Sequence, residues 1–279
     1  MRLTAEQIKG RIRNVARQNN SDARTLMRIY MMERFLERVA QSEYKDNFII
    51  KGGMLVTSMV GVALRSTMDI DTSIKNQNLS AEDAEKIIEQ IKNIDVDDGV
   101  TFEIKEISGI MDEMEYPGIR ISLNAVLENL ITPLKIDIST GDIITPAAVE
   151  YKYQLLLDDR SINLWSYNLE TILSEKLQTI LARGLLNTRM RDFYDIFILL
   201  DVYEERINTE DLKLAFDATC KKRETLNFKE NGKSILSVVK EDSNLNKLWN
   251  TYQKKYSYAQ NISFDEAVNR TEFLLNMII

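Results

Sequence analysis

Histidine is absent from this chain of 279 residues. Its absence excludes a histidine general base, a Ser–His triad and any His-ligated zinc site, so carboxylates must do any metal work. Carboxylates favour hard cations such as Mg²⁺ or Mn²⁺. Cysteine occurs once, at Cys220, so no internal disulfide can form. Three prolines and ten glycines are few for this length, a bias that favours helices over a sandwich or barrel. No apolar run approaches the roughly 20 residues that cross a bilayer, and the N-terminus lacks a signal-peptide core. These absences lead to the expectation of a soluble, cytoplasmic protein without a membrane partner, most simply a monomer.

Acid outnumbers base, for a net charge of −7. That balance argues against a general nucleic-acid-binding protein. The distribution is uneven, however. Residues 1–40 hold nine basic and four acidic side chains, a local charge of +5 that can grip a polyanion. The same arginines also suit amphipathic packing helices whose heads sit in water.

Periodicity predicts helices over 4–18, 22–42 and 54–63, and a strongly amphipathic one over 80–93 behind Ser80. The apolar run Phe48-Ile49-Ile50 reads as a strand, and so does Met68 to Ile74 by alternation. Three more strands are expected over 100–107, 118–127 and 134–139, with turns at Tyr116-Pro117-Gly118 and Thr132-Pro133. Beyond residue 165 the pattern turns helical, with helices near 168–184, 190–203, 208–221, 243–256 and 264–278. The expectation is an α+β chain. Residues 1–165 supply N-terminal helices and a mixed sheet, and residues 166–279 supply a helical domain that completes an active-site cleft.

Three segments carry candidate chemistry. Lys51-Gly52-Gly53 ends a strand and opens a helix, where bare backbone and a helix N-terminus can cradle a phosphate; a plain tight turn fits as well. Asp69-Ile70-Asp71 places two carboxylates on one side of a strand, about 7 Å apart at Cα. They hold a divalent ion or are two solvated acids on a turn. Asp137 interrupts an apolar strand, so it needs a partner such as a shared metal, or it faces solvent beside Lys135. Together, a phosphate-cradling turn and three acids on two strands are what two-metal nucleotidyl transfer requires. Arg65 and Thr67 are secondary candidates for phosphate contact, and Arg183, Arg189 and Arg191 form a further basic group.

Lys51-Gly52-Gly53 followed by Thr67-Met68-Asp69-Ile70-Asp71 resembles the first motif of the nucleotidyltransferase superfamily, in its AbiEii toxin branch. Lys135 to Asp142 resembles the second motif, and Glu175-Lys176-Leu177 and Arg191 to Asp195 resemble two later helical ones. The resemblance covers roughly residues 48–200. One position departs from it: Gly53 stands where the superfamily usually has serine. The resemblance implies a nucleotidyltransferase-like fold. It also implies the toxin of a toxin–antitoxin pair, using Mg²⁺ and an NTP to modify RNA, with the tRNA 3′ end as target class. Blocked translation, growth arrest and phage defence would follow. A nearby winged-helix antitoxin and repressor would be the partner. It makes Asp69, Asp71 and Asp137 the metal ligands and Lys176 and Asp192 catalytic. Lys51, Gly52, Gly53, Arg65, Thr67 and Lys176 would bind nucleotide. Without the resemblance, Arg191, Asp192 and Asp195 read more readily as surface helix pairs than as a site. The alternatives are a protein or small-molecule acceptor, or a degenerate fold that only binds.

Overall fold

Burial alternates most clearly over 118–127 and 130–136, whereas the strands at the centre of the sheet, over 48–51 and 70–74, are buried almost throughout. The computed structural model describes residues 2–75, 79–110 and 118–279. The expected turn at Tyr116-Pro117 lies outside the described residues. Two helices, α1 (Ala5–Gln18) and α2 (Ala23–Gln41), precede β1 (Phe48–Lys51), α3 (Gly52–Val60), β2 (Ile70–Ile74) and α4 (Ala81–Lys92). Strands β3 (Thr101–Ile110), β4 (Gly118–Leu127), β5 (Leu130–Thr140), β6 (Val149–Gln154) and β7 (Ser161–Ser166) follow. Helices α5 (Leu169–Arg183), α6 (Met190–Tyr203), α7 (Thr209–Lys222), α8 (Phe228–Glu241), α9 (Ser243–Lys255) and α10 (Phe264–Ile278) complete the chain.

The seven strands make one mixed sheet in the order β3-β4-β5-β2-β1-β7-β6. The expected α+β class, with a mixed sheet followed by helices, is what the chain adopts. Two expectations are corrected. Thr132-Pro133 is not a turn: both residues lie inside β5, paired with Ala125 and Asn124. The chain reverses at Glu128-Asn129 instead, where Glu128 takes a positive φ of 53°. β2 joins β5 only from Ile136 onward, so Pro133 sits on a stretch paired on one side, where a strand tolerates proline. The D-x-D strand begins at Ile70, which leaves Met68 and Asp69 just before it.

The chain divides into two compact units, Met1–Asp142 with Val149–Ser166, and Ile143–Ala148 with Tyr167–Ile279. In the first unit Phe35 of α2 meets Phe48 of β1 and Phe102 of β3, with ring centroids 6.5 and 5.6 Å apart. In the second unit, Asn168 caps α5 by accepting from the Thr171 N–H at 2.7 Å. Its amide also donates to the carbonyls of Thr145 and Ala147 at 2.7 and 3.0 Å, which fastens residues 143–148 to that helix end. Among the described residues no helix is long and apolar enough to cross a membrane.

α2 carries a buried acid, Glu33, that accepts from the Leu156 N–H and the Tyr153 hydroxyl. Burial pushes its carboxyl up to about 8 from an ordinary 4.5. A raised value favours the folded state below 4.5, and that contribution is lost as pH rises to about 8. Glu33→Gln removes the proton but keeps an acceptor. The variant is expected to gain on the parent by a few kcal/mol between pH 5 and pH 8. Paired thermal melts check this; a difference that does not vary with pH overturns it.

Candidate active site

The site grows from the register of four strands. Lys51 of β1 pairs with Asp71 of β2, Asp71 with Asp137 of β5, and Asp137 with Arg120 of β4. Direct cross-strand neighbours share a face of the sheet. Asp71 and Asp137 therefore stand side by side on one face, flanked by a cation at each end of the row. Asp69 lies one residue before β2 and is half-buried. Burial raises its carboxyl, and Asp71 and Asp137 push it further the same way. Lys135 and Arg120 oppose this to a lesser degree.

Asp71 also reaches the glycine turn. Its Oδ2 accepts from the Gly53 N–H at 2.9 Å. Gly52 has a φ of +57°, and a Cβ there would collide with the Asp71 carboxyl. Glycine at 52 is therefore set both by backbone conformation and by the approach of the acid. At Gly53 a Cβ would lie 2.5 Å from Thr67 Oγ1. The threonine side chain thus occupies the space that the superfamily's serine would take. Gly53→Ser is expected to cost about 1–3 kcal/mol by overpacking, and adding Thr67→Ala should recover most of it. Chemical denaturation of the single and double variants measures both; a single variant as stable as the parent overturns the clash.

Arg120 is the residue that sequence spacing missed. Its Nε and Nη2 donate to Asp137 Oδ1 and Oδ2 at 2.8 and 2.7 Å, a bidentate pair. Asp137 is buried, so it neither faces solvent nor stands alone. Lys51 donates to Ser139 Oγ and Asp142 Oδ2, both at 2.6 Å, and Ser139 donates to Asp142. Arg65 and Thr67 are both buried, with Arg65 donating to the Ser66 carbonyl. Among the described residues no set of three acids is spaced as a ready metal cage. The donor type still suits a hard cation: Asp71 and Asp137 are cross-strand neighbours that both push the Asp69 carboxyl up, a repulsion that a divalent ion would relieve. For Asp137 to take part, it would have to share its oxygens with Arg120.

Within the second unit, Lys176 of α5 donates to Asp192 Oδ1 at 3.0 Å and Asp195 Oδ2 at 2.6 Å, both acids being on α6. Asp192 also accepts from Arg189 at 2.9 Å. Asp192 and Asp195 are 3% and 0% exposed, so the reading as surface helix pairs fails. Arg191 serves neither acid and donates to the Tyr256 hydroxyl instead. Burial alone would raise the Asp192 carboxyl, but Lys176 and Arg189 outweigh it and hold the group below its ordinary value.

Comparison with known proteins places these motifs in context. A family described as "Nucleotidyl transferase AbiEii toxin, Type IV TA system" matches residues 34–270. No curated protein matches the chain. Among solved structures, JHP933 from Helicobacter pylori aligns over 91% of each chain at 17% identity, with a TM-score of 0.49. A candidate nucleotidyltransferase from H. pylori aligns over 91% of this chain and 94% of its own at 18% identity, with a TM-score of 0.46.

Proposed function

The chain belongs to the AbiEii nucleotidyltransferase toxin family of type IV toxin–antitoxin systems, and from that premise we propose that it transfers a nucleoside monophosphate from an NTP to the 3′ end of an RNA, of which tRNA is the favoured class. The observation that carries the reading is the juxtaposition of Asp71 and Asp137 on parallel neighbouring strands, beside the Gly52-Gly53 turn. Asp69, Asp71 and Asp137 are the residues that would hold Mg²⁺ or Mn²⁺, which when bound neutralises the triphosphate and activates the attacking hydroxyl.

In the transfer, the RNA hydroxyl gives up its proton to solvent and its oxygen forms a bond to the α-phosphorus, while the bond from the α-phosphorus to the oxygen bridging to the β-phosphate breaks and pyrophosphate leaves. The glycine turn brings backbone N–H groups and the start of α3 to the same strand end as the acids, a setting that favours phosphate. Gly53 already donates its N–H to Asp71 and so fixes that carboxylate. Lys176, held by Asp192 and Asp195, is assigned to the triphosphate oxygens as a point charge. Blocked translation, growth arrest and phage defence are the proposed outcome. A toxin of this class has a cognate antitoxin, for which a winged-helix repressor encoded nearby is the proposed form.

The test is incubation of the protein with Mg²⁺, each of the four labelled NTPs in turn, and separate pools of total RNA, protein and small molecules. Label entering RNA supports the reading. Label entering only protein or a small molecule moves the activity to another acceptor, and label entering nothing removes the enzymatic assignment.

A further inference from the structure

Sequence upstream of the family match builds a second feature. The family match begins at Arg34. α1 and the first half of α2 precede it, and with the first residues of β5 they enclose a groove of about 350 Å³. Its rim carries Lys9, Arg13, Arg24 and Arg28, and its walls include Met27, Ile131 and Pro133. Among the described residues no acidic side chain lines it. Arg13 and Arg24 are exposed, and Ile131 is 60% exposed.

We infer that this groove seats the single-stranded end of the acceptor polynucleotide on its way to the carboxylates. The inference rests on the nucleotidyl-transfer reading above and adds where the acceptor lies. Two observations connect groove and site. Arg28 of the rim donates to the Met68 sulfur at 2.9 Å, one residue before Asp69. On β5, Ile131, Pro133, Lys135 and Asp137 alternate onto one face, so the groove wall and the acid are four residues apart. At roughly 3.3 Å per residue, Pro133 and Asp137 are about 13 Å apart. Lys135 lies between them, and Arg120 is paired with Asp137.

The cations therefore form a track that ends at the acids. A polymer with one negative charge per unit fits a track, and the apolar wall suits the face of a base. The rest of the chain works in the same direction. Residues 1–40 carry +5, and the remainder carries the balance of −12. A polyanion is repelled elsewhere and drawn to this end. An acidic protein segment would match the charge, but nothing would lead it toward the site of transfer.

The test uses a fluorescein-labelled RNA hairpin with a single-stranded 3′ overhang and the full chain, followed by anisotropy across a salt series. Arg13→Glu with Arg24→Glu reverses two exposed rim charges. Lys86→Glu with Lys105→Glu makes the same net change away from the groove. The rim variant is expected to lose at least about tenfold in affinity, with a salt slope shallower by about two, while the control stays near the parent. Binding by the rim variant equal to the parent, or an equal loss in the control, overturns the assignment. So does a polyglutamate peptide whose binding the rim variant abolishes while RNA binding is unchanged. Calorimetry with Mg²⁺ and ATP on the same proteins separates the two readings. Intact nucleotide binding with unaltered RNA affinity in the rim variant sinks only the groove, whereas a parent that neither binds nor transfers nucleotide sinks the enzyme.

Discussion

Asp71→Ala is expected to abolish nucleotide transfer and growth arrest while leaving the fold in place. Asp71 is the acid on which the site's contacts converge. It has Asp137 at its side on β5, Lys51 opposite on β1, and the Gly53 N–H on its Oδ2. Its removal takes one of two adjacent charges that would hold the divalent ion, and it frees the turn that the carboxylate pins. Loss of several kcal/mol of charge stabilisation corresponds to a fall of about 10³-fold or more in rate. Stability should move little, because the remaining acids lose a like-charged neighbour that costs energy in the absence of metal. Incorporation of label into RNA, growth on induced expression and a thermal melt are the three readouts. Full transfer by a folded Asp71→Ala protein would falsify the proposed site.

Lys176→Met is expected to have the largest effect on stability. The ammonium bridges two carboxylates that are almost wholly buried. Removing one partner of a buried pair typically costs about 3–5 kcal/mol, because the charge left behind has neither water nor counter-ion. Here two acids lose the ammonium they share, and Arg189 stays on Asp192. Because Asp192 is held below its ordinary value in the parent, the stability it contributes is present above that ordinary value and fades as pH falls below it, so the variant's deficit should shrink there. Adding Asp192→Asn and Asp195→Asn removes the stranded charge and should restore the melting temperature. Transfer is compared with that of the Asp192→Asn, Asp195→Asn double variant: equal transfer in the triple variant confines Lys176 to the fold, whereas transfer kept by the double and lost in the triple places Lys176 on the triphosphate.

The parts of the molecule that could be read in advance are those written in local pattern. The alternation over 118–127 gave β4 its exact bounds, and the capping of 80–93 by Ser80 gave α4. The D-x-D pair and Asp137 were visible because acids are rare beside isoleucines in a strand. Other features depend on partners far along the chain. Arg120 is seventeen residues from Asp137 and meets it only through sheet register. β6 and β7 were missed because Val-Glu-Tyr-Lys-Tyr-Gln carries charge along an edge strand that is mostly solvated. α8 was missed because Gly232 breaks a helical pattern, yet glycine is what α10 requires there. A Cβ at 232 would lie 2.8 Å from Leu275. Thr132-Pro133 misled because proline reads as a breaker until one knows that its strand is paired on one side.

The short strap 143–148 has a consequence for how the chain matures. It packs with the helical unit, although the next eighteen residues return to the sheet. Its fastenings, the Asn168 amide and the Thr171 hydroxyl, are made only after β6 and β7 have been laid down. A nascent polypeptide must therefore leave the strap undocked until α5 emerges from the ribosome. For the same reason, no single cut in the gene yields two self-sufficient pieces, and the units are inherited as one.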